Sequence, residues 1–145
     1  MYNHLLLPTD GSPLSTVALE KSLAFARDAG AKVTVVMVVE PFHVFSAAPD
    51  QLEPTRSEYE RHAREQAAAC LTDAELKARA LGVPCAVLQV EGDEPHRVII
   101  DTAERNACDL IAMASHGRRG VAAILLGSVT AKVLAYSHTP VLVYR

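Results

Sequence analysis

The chain has 145 residues, 50% hydrophobic and 21% charged, a balance that fits a globular fold and excludes a disordered or fibrous one. A net charge of −3 argues against non-specific binding to nucleic acid or to an anionic membrane surface. Only 5% of residues are aromatic and none is Trp, so the core must be assembled from Val, Leu, Ile and Ala.

In chain order, Leu5-Leu6-Leu7 followed by Pro8-Thr9-Asp10-Gly11-Ser12-Pro13 reads as a short buried strand running into a turn. A helix follows, with Leu19, Leu23 and Ala26 on one face and Gly30 as its stop. Val33 to Val39 is apolar almost throughout, the pattern of a strand covered on both faces. Glu40 to Pro54 contains three prolines and reads as the one long irregular stretch. Its Phe42, Val44 and Phe45 suggest a loop that folds over a ligand.

The next helix is the clearest. Tyr59, Ala63, Ala67, Cys70, Ala74, Ala78 and Leu81 recur at helical spacing, and Gly82 stops it. Val83 to Val90 is a third strand. Gly92-Asp93-Glu94-Pro95 opens a helix carrying Val98, Ile99, Thr102 and Ala103. Leu110 to Met113 is a fourth strand, a helix starting near Ser128 packs Val129, Val133 and Tyr136, and Val141 to Tyr144 is a fifth strand.

Strands and helices that alternate with short connections define an α/β domain, here spanning 1–145: an open, doubly wound, five-stranded parallel sheet with helices on both faces. Cys70, Cys85 and Cys108 form no C-x-x-C pair and read as small hydrophobes in a reducing compartment. With no signal-like or membrane-length apolar run, a cytoplasmic location is expected.

Ligands of such sheets sit beyond the carboxyl ends of the strands, where strand order reverses. Two strand ends are suggestive. Thr9-Asp10-Gly11 follows the first, and Ala114-Ser115-His116-Gly117 follows the fourth. After nine more residues comes Gly127-Ser128 at a helix start. Glycine admits close backbone approach, and a helix N-terminus offers unpaired N–H groups to an anion.

Over its whole length the chain resembles the universal stress protein family. The segment Leu6 to Ser12 is similar to that family's opening strand and loop. Met113 to Val129 resembles its nucleotide signature, G-x2-G-x9-G-[S/T], and Thr139 to Val143 its closing strand. The resemblance implies strand order 3-2-1-4-5 in an adenine nucleotide α-hydrolase-like fold, with ATP as the ligand, Mg²⁺ as its companion, and a homodimer formed through strand 141–144.

Position by position, the resemblance puts Pro8, Thr9 and Asp10 at the adenine and ribose, and Val38 against the base. Ala114, Ser115, His116, Gly117, Arg118, Arg119 and Gly120 would wrap the ribose and phosphates, and Gly127, Ser128 and Val129 would offer N–H groups to the outer phosphates. Ala114 departs from the signature, standing where it has its first glycine. The function implied is a nucleotide-responsive stress regulator with at most slow ATP hydrolysis. The alternative is a nucleotide-free dimeric interaction protein whose site Ala114 occludes.

Residue by residue, plainer roles compete. Asp10 can cap the first helix or close a turn, Ser128 can be an N-cap, Gly117 and Gly120 can be turn glycines, and Arg118 and Arg119 a solvated pair. Other chemistries lack their motifs. No G-x4-G-K-[S/T] loop, G-x-G-x-x-G fingerprint or G-x-S-x-G elbow occurs. The six histidines show neither i, i+4 pairing nor a cysteine partner, so no metal site is expected. A third reading, an enzyme cleaving ATP between its α- and β-phosphates, lacks the S-G-G-x-D-S loop and H-x-G-H that it needs.

Overall fold

The computed structural model describes residues 1–41, 49–117 and 126–145, with only the backbone for 49–54. The elements are β1 (His4–Pro8), α1 (Pro13–Ala29), β2 (Lys32–Val39), α2 (Pro49–Ala80), β3 (Cys85–Glu91), α3 (Pro95–Arg105), β4 (Leu110–Ala114), α4 (Ser128–Tyr136) and β5 (Val141–Tyr144). The strands are parallel, in the order β3-β2-β1-β4-β5. The order implied by the resemblance is therefore the observed one, and strands β1 and β4 lie side by side, with Leu5 opposite Leu110 and Leu6 opposite Ile111.

Alternation along the strands divides the core in two. Leu5, Leu7, Val33, Val35 and Ala112 face α1 and α2, whereas Leu6, Val36, Ile111 and Met113 face α3 and α4. Leu5, Leu6 and Leu7 are all fully buried, and each such burial stabilises the fold by about 2 kcal/mol. No polar residue interrupts β4, all five of whose residues are buried. Among the described residues no helix is long and apolar enough to cross a membrane.

Helix limits follow local chemistry. The Ser12 side chain caps α1 by accepting from the Ser15 N–H, Pro13 occupies the first turn, and Gly30 ends the helix at φ 67. Gly82, at φ 71, turns the chain after α2.

The structure corrects several sequence expectations. Helix α2 begins at Pro49, so the irregular stretch is shorter than 40–54; Pro49 sits in the first turn, where a missing N–H costs nothing. Residues 42–48 lie outside the described residues. Tyr59 is 44% exposed and Tyr136 66% exposed rather than packed. Tyr59 lies on the wall of a cleft beyond the end of β2, and Tyr136, the last residue of α4, has its ring 6.0 Å from that of His96 at the surface. Of the expected stripe of α2, Ala67, Ala74 and Ala78 are buried, and Leu71 joins them.

Candidate functional site

Strand β1 ends at Pro8 and the chain turns tightly through Thr9 to Ser12. Gly11 adopts φ 78, which glycine takes without steric cost. The Asp10 Oδ1 accepts from the Ser12 N–H at 2.9 Å, closing an Asx turn. The Ser15 hydroxyl, at 2.6 Å from Thr9 Oγ1, also accepts from the Asp10 N–H at 3.2 Å. The Thr9 hydroxyl is thus committed to the loop, and Asp10 is held from both its backbone and its carboxylate.

Across the switch point, Ser115 is 2% exposed. Its N–H donates to the Tyr144 carbonyl at 2.7 Å, and its own carbonyl accepts from the Gly127 N–H at 2.7 Å. The buried Thr130 hydroxyl donates to the Ala114 carbonyl at 2.9 Å. These bonds bring the start of α4 against the end of β4. Ala114 itself belongs to the strand, and among the described non-glycine residues only Ala107 has positive φ, so an alanine is tolerated there without backbone strain.

Two glycines are explained by proximity rather than by φ. A Cβ on Gly117 would lie 2.5 Å from Asp10 Oδ2. A Cβ on Gly127 would lie 3.2 Å from the Ser115 carbonyl oxygen and 3.3 Å from His116 Cα. Gly127, not Ser128, is the N-cap of α4, and among the described residues no side chain caps that helix. Among those residues the first N–H groups of α4 are therefore open to an anion, as is the exposed Ser128 hydroxyl. His116 Nδ1 lies 2.9 Å from Ser115 Oγ, while its Nε2 is buried with no hydrogen-bond partner among the described residues. The helix start beside His116 suits an anion such as phosphate.

A cleft of about 610 Å³ opens over this junction. It is lined by Pro8, Thr9, Asp10, Val38, Ala114, His116, Gly117, Gly127, Ser128 and Val129. Ser115 lies behind the wall as its support. Arg118, Arg119 and Gly120 fall outside the described residues. Val38 and Val129 extend the second core cluster into the cleft as an apolar patch.

Sequence reasoning missed Glu40, Tyr59, Gln66, Asp93, Glu94, His96 and Lys132, which also line it. Asp93 and Glu94 had a signal, since they follow a parallel strand and so must emerge at the same end of the sheet as Asp10. Lys132 stands four residues after Ser128 on one helix, a signal that acquires meaning only once the cleft is known.

At the opposite end of the sheet, His4 Nε2 lies 2.7 Å from Thr34 Oγ1. Burial, and then the nearby Lys32 charge, push the pKa of His4 below its ordinary value. Desolvation opposes ionisation of Asp109, but the His4 and Asn3 N–H donors outweigh it and hold its pKa below the usual carboxylate value. Burial raises the Cys85 and Cys108 thiols to about 11, which leaves both unreactive at neutral pH. No group of residues suited to a metal ion occurs among the described residues.

The profile of the universal stress protein family matches residues 1–145. The chain is 30% identical over 148 residues to universal stress protein MJ0531 of Methanocaldococcus jannaschii, covering all of this chain and 83% of the relative. Protein MJ0577 of the same organism has a solved structure that superposes with a TM-score of 0.82 at 31% identity, over 99% of this chain and 95% of that one. A universal stress protein solved in complex with cAMP superposes with a TM-score of 0.71 at 26% identity, over 99% and 97% of the two chains. With its fold, its strand order and its whole length matched in this way, the chain belongs to the universal stress protein family.

Proposed function

We propose that this protein binds ATP in the cleft between the ends of β1 and β4 and acts as a nucleotide-responsive stress regulator. The observation that carries the reading is the joint geometry of Asp10 and α4. A carboxylate fixed by its own turn faces Gly117, and an uncapped helix N-terminus stands on the other side of the same cleft. The first suits ribose hydroxyls, which donate to carboxylate oxygen; the second suits phosphate. Val38 supplies an apolar surface for the base. The cAMP-bound relative supports an adenine nucleotide as the ligand class.

In this reading Asp10 orients the ribose, and the N–H groups of Ser128 and Val129 hold the phosphates, with Mg²⁺ sharing their charge. The protein senses nucleotide rather than consuming it, and it works as a homodimer paired through β5 in a cytoplasmic setting. Calorimetric titration with ATP in the presence of Mg²⁺ tests the reading. Micromolar binding supports it, and absence of binding at millimolar ATP overturns it in favour of a nucleotide-free interaction protein.

A further inference from the structure

Lys132 lies in α4 four residues beyond Ser128, on the same ridge of the helix, and lines the same cleft. The axial rise between them is about 6 Å. Helical side chains lean toward the N-terminus of their own helix, so a lysine one turn in carries its ammonium back toward the open N–H groups. Lys132 is exposed and makes no ion pair or hydrogen bond with any other described residue.

The rest of the cleft has the opposite character. Asp10, Glu40, Asp93 and Glu94 line it, Glu94 being paired with Arg97 at 3.0 Å. Among the described lining residues, Lys132 is the one lysine or arginine. Among the described residues, a phosphate chain anchored at the start of α4 therefore meets carboxylates on the α1 and α3 sides and a lysine along α4. Lys132 also stands outside the G-x2-G-x9-G-[S/T] spacing, so that spacing does not account for it.

We propose that Lys132 is a specificity-determining residue that reads the length of the phosphate chain, favouring nucleoside di- and triphosphates over monophosphates. The proposal rests on the adenine-nucleotide reading above. A monophosphate has its single phosphate next to the ribose, short of the start of α4. Only a longer chain reaches the α4 N–H groups and the ammonium carried back toward them. The contact is that of a hydrated, rotatable point charge, so another cation can replace it and a neutral amide cannot.

The test compares ATP, ADP and AMP affinities by calorimetry for the unmodified protein, Lys132→Gln and Lys132→Arg. Position 132 is exposed on the helix surface, and circular dichroism checks that the variants are folded. Lys132→Gln is expected to weaken ATP by about fivefold, with AMP changed less than about twofold and Lys132→Arg retaining ATP binding. Equal loss of ATP and AMP in Lys132→Gln, or unchanged ATP affinity, would overturn the assignment while leaving the nucleotide reading intact. Absence of any adenine-nucleotide binding by the unmodified protein would instead overturn the nucleotide reading, and this assignment with it.

Discussion

The Asp10 carboxylate occupies the space that a side chain on Gly117 would need, with Oδ2 2.5 Å from the position of a Cβ. Glycine is favoured there by a neighbouring side chain across the switch point, not by an unusual backbone angle. Gly117→Ala must push Asp10 aside, and Oδ1 then loses its hold on the Ser12 N–H. In the proposed reading, ATP affinity falls at least tenfold, or about 1.4 kcal/mol, in a variant that still folds. Calorimetry decides the matter, and unchanged affinity would remove Asp10 from the ligand.

Gly127 faces backbone on two sides, at 3.2 Å from the Ser115 oxygen and 3.3 Å from His116 Cα. Neither can rotate away. Gly127→Val is therefore expected to destabilise the fold by about 1–3 kcal/mol through overpacking, as read by denaturant unfolding. ATP affinity should fall at least tenfold, or about 1.4 kcal/mol. A folded variant with normal affinity would place the anion site elsewhere.

Ala114 has the extended backbone of β4 and is 7% exposed. Since its conformation suits any residue, Ala114→Gly should change ATP affinity by less than about threefold, roughly 0.65 kcal/mol. If the glycine variant binds ATP where the unmodified protein does not, the methyl group occludes the pocket and the nucleotide-free alternative gains its mechanism.

The edge strand offers a test of assembly. The carbonyls of Pro140 and Tyr144 accept from β4, so the alternation along β5 turns the N–H and C=O groups of Val141 and Val143 to the open side. An uncovered apolar edge invites a second copy. We expect sedimentation at about twice the 15.6 kDa chain mass. Val143→Pro should give a monomer, because it removes an outward donor and leaves the β4–β5 bonds in place. Leu142→Pro is a harsher change, since Leu142 packs on the first core cluster. A monomer at tens of micromolar for the unmodified protein would end the dimer proposal.

His4 makes stability depend on pH. Its pKa is depressed in the folded state, first by burial and then by Lys32, against the opposing influences of the Asn106 backbone and Asp109. Below the ordinary histidine value the unfolded chain takes up a proton that the folded chain resists. The contribution of His4 is therefore present above pH of about 6.5 and lost as pH falls through the depressed value. Asp109, also depressed, loses its contribution only at pH below the ordinary carboxylate range. Urea unfolding between pH 7.5 and 5 should thus show a fall in the unmodified protein that is shallower in His4→Gln. Equal slopes would exclude His4 as the cause.

Much of this was legible from the residues. Strands β2 and β4 announce themselves because a strand covered on both faces leaves little room for polar residues, Thr34 with its His4 partner being the buried exception in β2, and Gly30 and Gly82 mark helix ends that need positive φ. Tyr59 and Tyr136 were misjudged because periodicity reports which face a residue shares, not how deeply that face is covered at each turn. The start of α2 was hidden by Pro49, which punctuates a chain equally well before a loop or at a first turn. Ser128 reads as a cap by type, whereas the backbone gives that position to Gly127. Asp10 and Gly117 were each visible, but their mutual exclusion of volume is a fact of three dimensions.

The hydrogen bond from the Gly127 N–H to the Ser115 carbonyl has one more consequence. It joins the two ends of the segment 115–127, and the Ser115 N–H fastens that junction to Tyr144. That junction is held main chain to main chain, so it does not depend on which side chains the intervening sequence carries. Because the entropic cost of closing a loop grows only slowly with its length, changes of sequence or length between the two anchors are expected to cost the sheet little.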